Sequence, residues 1–201
     1  MTTVLNPAVV DYYNDCALSI KDDAKAMGWS SQFNQQLRFD VFNYLVDFTG
    51  VSVLDVGCGD GAFFHYLNDQ TIDCQYYGID ISDEMIKRAQ HRHPGVSVRQ
   101  SNLFDYHTRH DVVVSSGAIS IHSQTNAMTF LSSVIDHFLE LANQHVLFNL
   151  LSIHSPKKNS LFNYYDPAEV FTMCLQKSPF AIIHHGYLPN DFTVHLVKRF
   201  N

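Results

Sequence analysis

The stretch that most constrains the fold is Val51 to Leu67, Val-Ser-Val-Leu-Asp-Val-Gly-Cys-Gly-Asp-Gly-Ala-Phe-Phe-His-Tyr-Leu. Val51, Val53, Leu54 and Val56 form a short apolar run rich in β-branched residues, the pattern of a parallel strand covered on both faces. Gly57, Gly59 and Gly61 follow at alternate positions and allow a sharp backbone turn that approaches a ligand without Cβ atoms. Ala62 to Leu67 then reads as a helix. Strand, glycine turn and helix start together aim unpaired N–H groups and the positive end of a helix dipole at one ligand.

The loop itself narrows the ligand. A dinucleotide fingerprint reads Gly-x-Gly-x-x-Gly, whereas here Asp55 precedes Gly57-x-Gly59-x-Gly61. That carboxylate repels a pyrophosphate and tolerates an ammonium or a sulfonium. In Gln75-Tyr-Tyr-Gly-Ile-Asp-Ile-Ser82, Asp80 stands 23 positions after Gly57, close to the ~20 at which such folds place a ribose-binding acid. Val-Leu-Asp-Val-Gly-Cys-Gly-Asp-Gly resembles motif I of the class I, Rossmann-like S-adenosylmethionine-dependent methyltransferases, and the Asp80 strand resembles the family's second motif.

The rest of the chain can be laid out around these motifs. Residues 8 to 28 are expected as a first helix, with Val9, Tyr12, Tyr13, Cys16 and Ile20 along one side. Ser30 or Ser31 caps a second, whose face carries Phe33, Leu37, Val41, Tyr44, Leu45 and Phe48. After Asp80, Ser82-Asp83-Glu84 starts a helix to about His91, and Pro94-Gly95 breaks it. Val96 to Arg99 is the third strand and Asp111 to Gly117 contains the fourth, which resembles the family's motif IV region. A helix over 125–143 and a fifth strand over Val146–Leu151 follow. Pro167 opens a helix to about Gln176, and Phe180–His184 with Phe192–Val197 form a closing antiparallel pair. Strands alternating with helices imply right-handed crossovers. The expected class is α/β: a doubly wound, seven-stranded, mostly parallel sheet with an antiparallel C-terminal strand and helices on both faces. Its 201 residues read as a single domain, with 1–48 as a helical cap over the site.

Composition removes several functions. No apolar run approaches the length of a membrane span and the first residues lack a signal-peptide core, so a cytoplasmic protein without membrane attachment is expected. The net charge is −7 with no basic stripe, which argues against nucleic acid as a partner. Cys16, Cys58, Cys74 and Cys174 form no Cys-x-x-Cys pair. The twelve histidines include His91-x-His93 and His184-His185, but no spacing brings three ligands together, so no metal is expected. No nucleophile elbow or phosphate-binding Walker loop is present. Oligomeric state stays open.

The resemblance implies S-adenosylmethionine as cofactor and a small-molecule methyl acceptor. By it, Asp55, Gly57, Cys58 and Gly59 hold the methionine part and Asp80 the ribose hydroxyls. Ile81, Asn102 and Leu103 meet the adenine, with the amide oxygen of Asn102 replacing the acid often found there. Ser116 lies beside the sulfonium, and Arg38 meets the cofactor carboxylate. Tyr13, Trp29, Gln35 and Tyr164 are candidates for the substrate wall. Methyl transfer needs alignment and, for a hydroxyl or amine, a proton acceptor; His122 is the first candidate and His154 the second. The acceptor pocket is expected at the carboxyl ends of strands four and five, along Ser116 to His122 and Ile153 to His154. A silent cofactor-binding module and a nicotinamide-dependent oxidoreductase are the alternatives.

Overall fold

The computed structural model describes residues 32–120 and 126–198, and their architecture follows the alternation of strands and helices. The elements are α1 (Gln32–Leu45), β1 (Ser52–Val56), α2 (Ala62–Asp69), β2 (Gln75–Asp80), α3 (Asp83–Arg92), β3 (Val98–Gln100), β4 (His110–Ser115), α4 (Ala127–Leu141), β5 (Ala142–Leu151), α5 (Pro167–Lys177), β6 (Ala181–Leu188) and β7 (Asp191–Val197). The expected helix over 8–28 lies outside the described residues.

The seven strands form one sheet in the order β3-β2-β1-β4-β5-β7-β6. Every pairing from β3 to β5 is parallel, and β7 runs antiparallel to both β5 and β6. β1 and β4 are neighbours although β2 and β3 intervene in sequence, so the strand order reverses between them. Their carboxyl ends leave the crevice in which open α/β sheets bind ligands.

Two apolar layers cover the sheet. On one face, Phe39 and Phe42 of α1 and Phe63, Tyr66 and Leu67 of α2 pack on Val53, Val112, Val114 and Leu147. On the other, Leu131, Val134, Ile135 and Phe138 of α4 and Val170 and Cys174 of α5 pack on Val56, Val113, Phe148 and Val194. Alternate residues of β4 serve opposite layers, as the two-residue strand repeat requires. Burying side chains of this size stabilises the fold by roughly 1.5–3 kcal/mol each before chain entropy is set against it.

Local capping fixes the helix starts. The Ser82 side chain accepts from Met85 N, Asn126 accepts from Met128 N and Thr129 N, and Asp166 accepts from Ala168 N with Pro167 at the first turn. Several boundaries differ from the sequence reading: α1 ends at Leu45, short of Phe48, β3 covers Val98–Gln100, and β6 runs on to Leu188. The helix expected to reach residue 143 ends at Leu141, because Ala142 is extended, buried and paired with His110, so β5 starts without a loop. The crossover from β3 to β4 carries no α-helix, only a 3₁₀ turn over Leu103–Asp105.

Candidate active site

Three segments meet at the carboxyl edge of β1, β2 and β4. The glycine loop leaves β1 with positive φ at Gly57, Gly59 and Gly61. Gly57 N and Cys58 N both donate to the carbonyl of Ile79, at 2.8 and 3.0 Å, which pins the turn to the end of β2. Asp80 holds it from the side: one carboxylate oxygen accepts from Gly59 N at 2.9 Å and the other from Ser82 N at 2.8 Å. Burial raises the Asp80 pKa, opposed by these backbone donors. Each oxygen keeps a lone pair for a further donor.

Gly57 has a second reason to be glycine. A Cβ there would fall 2.3 Å from the Cβ of Ala118, in the loop that follows β4. The glycine repeat therefore serves packing between two loops as well as approach to a ligand. Gly117 in the same loop has φ +83° and donates to Asn149 Oδ1 at 2.9 Å, while Asn149 Nδ2 lies 3.4 Å from Ser116 Oγ. Ser115 Oγ donates to Val56 O at 2.8 Å. The segment after β4 is thus braced by β1 on one side and β5 on the other.

Behind the glycine loop, Asp55 is buried in β1 and accepts from the Tyr76 hydroxyl at 2.7 Å. Desolvation pushes its pKa up to about 7, against the Tyr76 hydrogen bond and aided by the nearby Asp80. Cys58 is buried with a pKa raised well above that of a free thiol, by burial first and then by Asp80 and Asp55, which leaves it an inert thiol.

The remaining sequence-derived candidates divide. Ile81 lies at the end of β2, its carbonyl accepting from Gln100 Nε2 at 3.0 Å, and Leu103 packs against the α4 layer. Asn102 caps the 3₁₀ turn, its side-chain oxygen accepting from Phe104 N at 3.0 Å, so part of the capacity assigned to the adenine is used locally. Arg38 is held within the chain: Nε and an Nη lie 2.9 and 2.6 Å from Asp191 Oδ2, so it meets a carboxylate of this chain. Tyr164 is likewise turned to its own loop, where its hydroxyl accepts from Asn159 N at 2.7 Å and Lys158 lies 5.5 Å from its ring. Gln35 is buried in α1. His154 is exposed just past β5, its ring 6.2 Å from that of His185. Tyr13, Trp29 and His122 lie outside the described residues. Among the described residues, no group of three or more His, Cys, Asp or Glu side chains is placed to hold a metal.

Sequence reasoning missed Asn149, Asp191, Tyr187 and Ala118. Asn149 could have been found as the one amide inside the apolar run from Val146 to Leu151. Tyr187 and Asp191 share a hydrogen bond beside the Arg38 ion pair, and Tyr187 also lies 2.9 Å from Thr193 Oγ1. Burial and the Asp191 charge raise the Tyr187 pKa. Neither residue sits in a motif.

A methyltransferase-domain family model matches residues 47–181, from just before β1 into β6. This chain belongs to that methyltransferase family. It is 28% identical over 161 residues to a Mycobacterium tuberculosis protein, Rv1506c, whose methyltransferase assignment is itself provisional; the match covers 74% of this chain and 93% of that one. The fold is shared with the magnesium protoporphyrin IX methyltransferase of Synechocystis PCC 6803, solved with S-adenosylhomocysteine (TM-score 0.71, 18% identity, 96% of this chain and 99% of that one). It is shared too with the N-methyltransferase NodS of Bradyrhizobium japonicum WM9, also with S-adenosylhomocysteine (TM-score 0.66, 16% identity, 92% and 95% covered). The two solved structures carry the product of the cofactor that the motifs imply here, and none of the three gives support to the oxidoreductase alternative.

Proposed function

We propose that this methyltransferase uses S-adenosylmethionine to methylate a small-molecule acceptor. The observation that carries the reading is the glycine loop held between Asp80 and Ala118 at the strand-order reversal. That geometry offers a carboxylate and a Cβ-free surface at one point on the carboxyl edge. In this reading the methionine part lies over Gly57 to Gly59 with its cation towards Asp55. Asp80 accepts from the ribose hydroxyls, and Ile81 with Leu103 meets the adenine.

Bound S-adenosylmethionine supplies an activated methyl group on a sulfonium. The protein's part is to orient the acceptor, exclude water and receive a proton where one is lost. The acceptor pocket is assigned to the braced loop after Ser115, with residues 1–48 as its cover and His122 as proton acceptor for a hydroxyl or amine. Asn149 fixes the course of that loop as a positioning residue. The magnesium protoporphyrin IX methyltransferase acts on a small molecule by its name, which supports the same acceptor class. No helix among the described residues is long and apolar enough to cross a membrane, in keeping with a cytoplasmic enzyme.

The test combines calorimetry with turnover. S-adenosylhomocysteine should bind, and a panel of small hydroxyl, amine and carboxylate acceptors should reveal turnover by release of that product. Once an acceptor is found, His122→Ala should lower turnover of a hydroxyl or amine about 10²-fold with cofactor affinity unchanged within about twofold. Absence of S-adenosylhomocysteine binding would remove the whole reading. Full turnover in His122→Ala would remove only the proton acceptor.

A further inference from the structure

The helix-free crossover between β3 and β4 leaves part of the sheet poorly covered. A groove of ≈ 510 Å³ opens there, bordered by Tyr77, Arg99, Tyr106, Arg109 and His110, and it extends to Ser52 and Gln75 at the amino ends of β1 and β2. It therefore runs away from the carboxyl edge that carries the glycine loop. Tyr77 is 38% exposed although it stands in mid-strand between two neighbours. Its ring centre lies 4.9 Å from His110, Tyr106 stacks on His110 at 5.8 Å, and the Arg99 guanidinium lies 4.8 Å over Tyr106.

The polar groups around these rings are hydrogen-bond donors. Arg99 and Arg109 are exposed, and neither has an ion pair among the described residues. Asp111, the carboxylate next to His110, is occupied by Ser52 N and Oγ at 2.9 and 2.7 Å. His110 is only 3% exposed, and its Nε2 lies 2.7 Å from the Tyr106 hydroxyl. Nδ1 is buried and has no partner. A buried ring nitrogen with no partner is uncommon in a folded chain.

We propose that this groove is a second ligand site, separate from the cofactor site, for a flat aromatic ring bearing a phosphate or carboxylate. The ring packs against the exposed part of Tyr77, and Arg99 and Arg109 meet the anion. In a chain of net charge −7, two arginines at one groove without carboxylate partners among the described residues give local selectivity for an anion.

The full-length protein, saturated with S-adenosylhomocysteine, is titrated calorimetrically with adenosine 5′-monophosphate and separately with 4-hydroxybenzoate. The saturation keeps the adenosine ring out of the cofactor site, and the same titrations are run without it. At least one probe should bind the saturated protein, and which one does tells phosphate from carboxylate. Arg99→Ala, Arg109→Ala and Tyr77→Ala alter exposed side chains, and each should weaken that binding about tenfold while S-adenosylhomocysteine affinity holds within about twofold. Failure of both probes to bind at millimolar concentration overturns the proposal. Binding that is unchanged in the triple variant does so too. Cofactor affinity is read in the same samples, so failure of the groove and failure of the methyltransferase reading are separate results.

Discussion

The β1–β2 side of the sheet and the β5–β7 side are held by different kinds of contact. On the first, side chains grip backbone over short distances: Asp80 reaches Gly59 N and Ser82 N, and the Ile79 carbonyl takes two N–H groups of the glycine loop. On the second, side chain meets side chain: Arg38 with Asp191, Asp191 with Tyr187, Asn149 with Ser116. Backbone grips require few residue types at fixed spacings, so they leave a motif. Side-chain pairs can be drawn from distant parts of the chain and leave none.

The largest expected effect tests the second kind. Arg38 and Asp191 are both almost fully buried, so Arg38→Met strands a carboxylate and should cost about 3–5 kcal/mol of stability in denaturant titration. The double variant Arg38→Met/Asp191→Leu should recover most of that loss. A double variant as unstable as the single one would show that packing rather than charge holds this side together.

Gly57→Ala tests the first kind. It combines a left-handed φ of +75° with a Cβ 2.3 Å from Ala118, and should cost about 2–5 kcal/mol. Gly50 has the same φ with nothing within 4 Å of an added Cβ, so Gly50→Ala isolates the backbone cost at about 1–2 kcal/mol. Equal losses in the two variants would mean that the loop after β4 yields to the intruding methyl.

Asp80→Ala comes next. Losing one charge-assisted acceptor should weaken S-adenosylhomocysteine about tenfold or more. Unchanged affinity in calorimetry would separate Asp80 from the ribose.

The smallest effect is on pH dependence. Asp55 is pushed up to about 7 in the folded chain, against about 3.9 when unfolded. Below pH 4 both states hold the proton and Asp55 contributes nothing. As pH rises towards 7 the unfolded chain releases its proton first, so stability falls across that window. A bound cation favours the ionised carboxylate, so below pH 7 cofactor binding should release a proton. S-adenosylhomocysteine affinity should then rise by up to about tenfold per unit between pH 5.5 and 7 and level off above. Asp55→Asn should flatten this slope, and a flat profile in the unaltered protein would place the methionine end away from Asp55.

What could be read in the sequence follows the same division. Periodicity and caps located the strands, helices and closing antiparallel pair because each depends on neighbours in sequence, as with Ser82 and Met85 or Pro167 and Asp166. Asp55, Asp80 and the glycines stood out because a backbone turn dictates their spacing. The Arg38 ion pair could not be read in advance, since Asp191 lies 153 positions away. Asn102 looked like a ligand reader, while its local hydrogen bond to Phe104 makes it a cap. The groove by Tyr77 exists because a crossover lacks a helix, and no residue announces that absence.

The contact between Gly57 and Ala118 has a consequence for redesign. On the proposed placement of the acceptor pocket, the segment after β4 is where another enzyme's specificity would be grafted, yet its second residue past Ser116 is the one that fits under the glycine turn. A transplanted loop with anything larger than alanine at that position would push on the turn itself, so the new substrate preference would arrive with weakened hold on the methyl source. Grafts that start after Ala118 and leave Asn149 in place to receive Gly117 avoid that penalty, and they define the length of chain that is open to exchange.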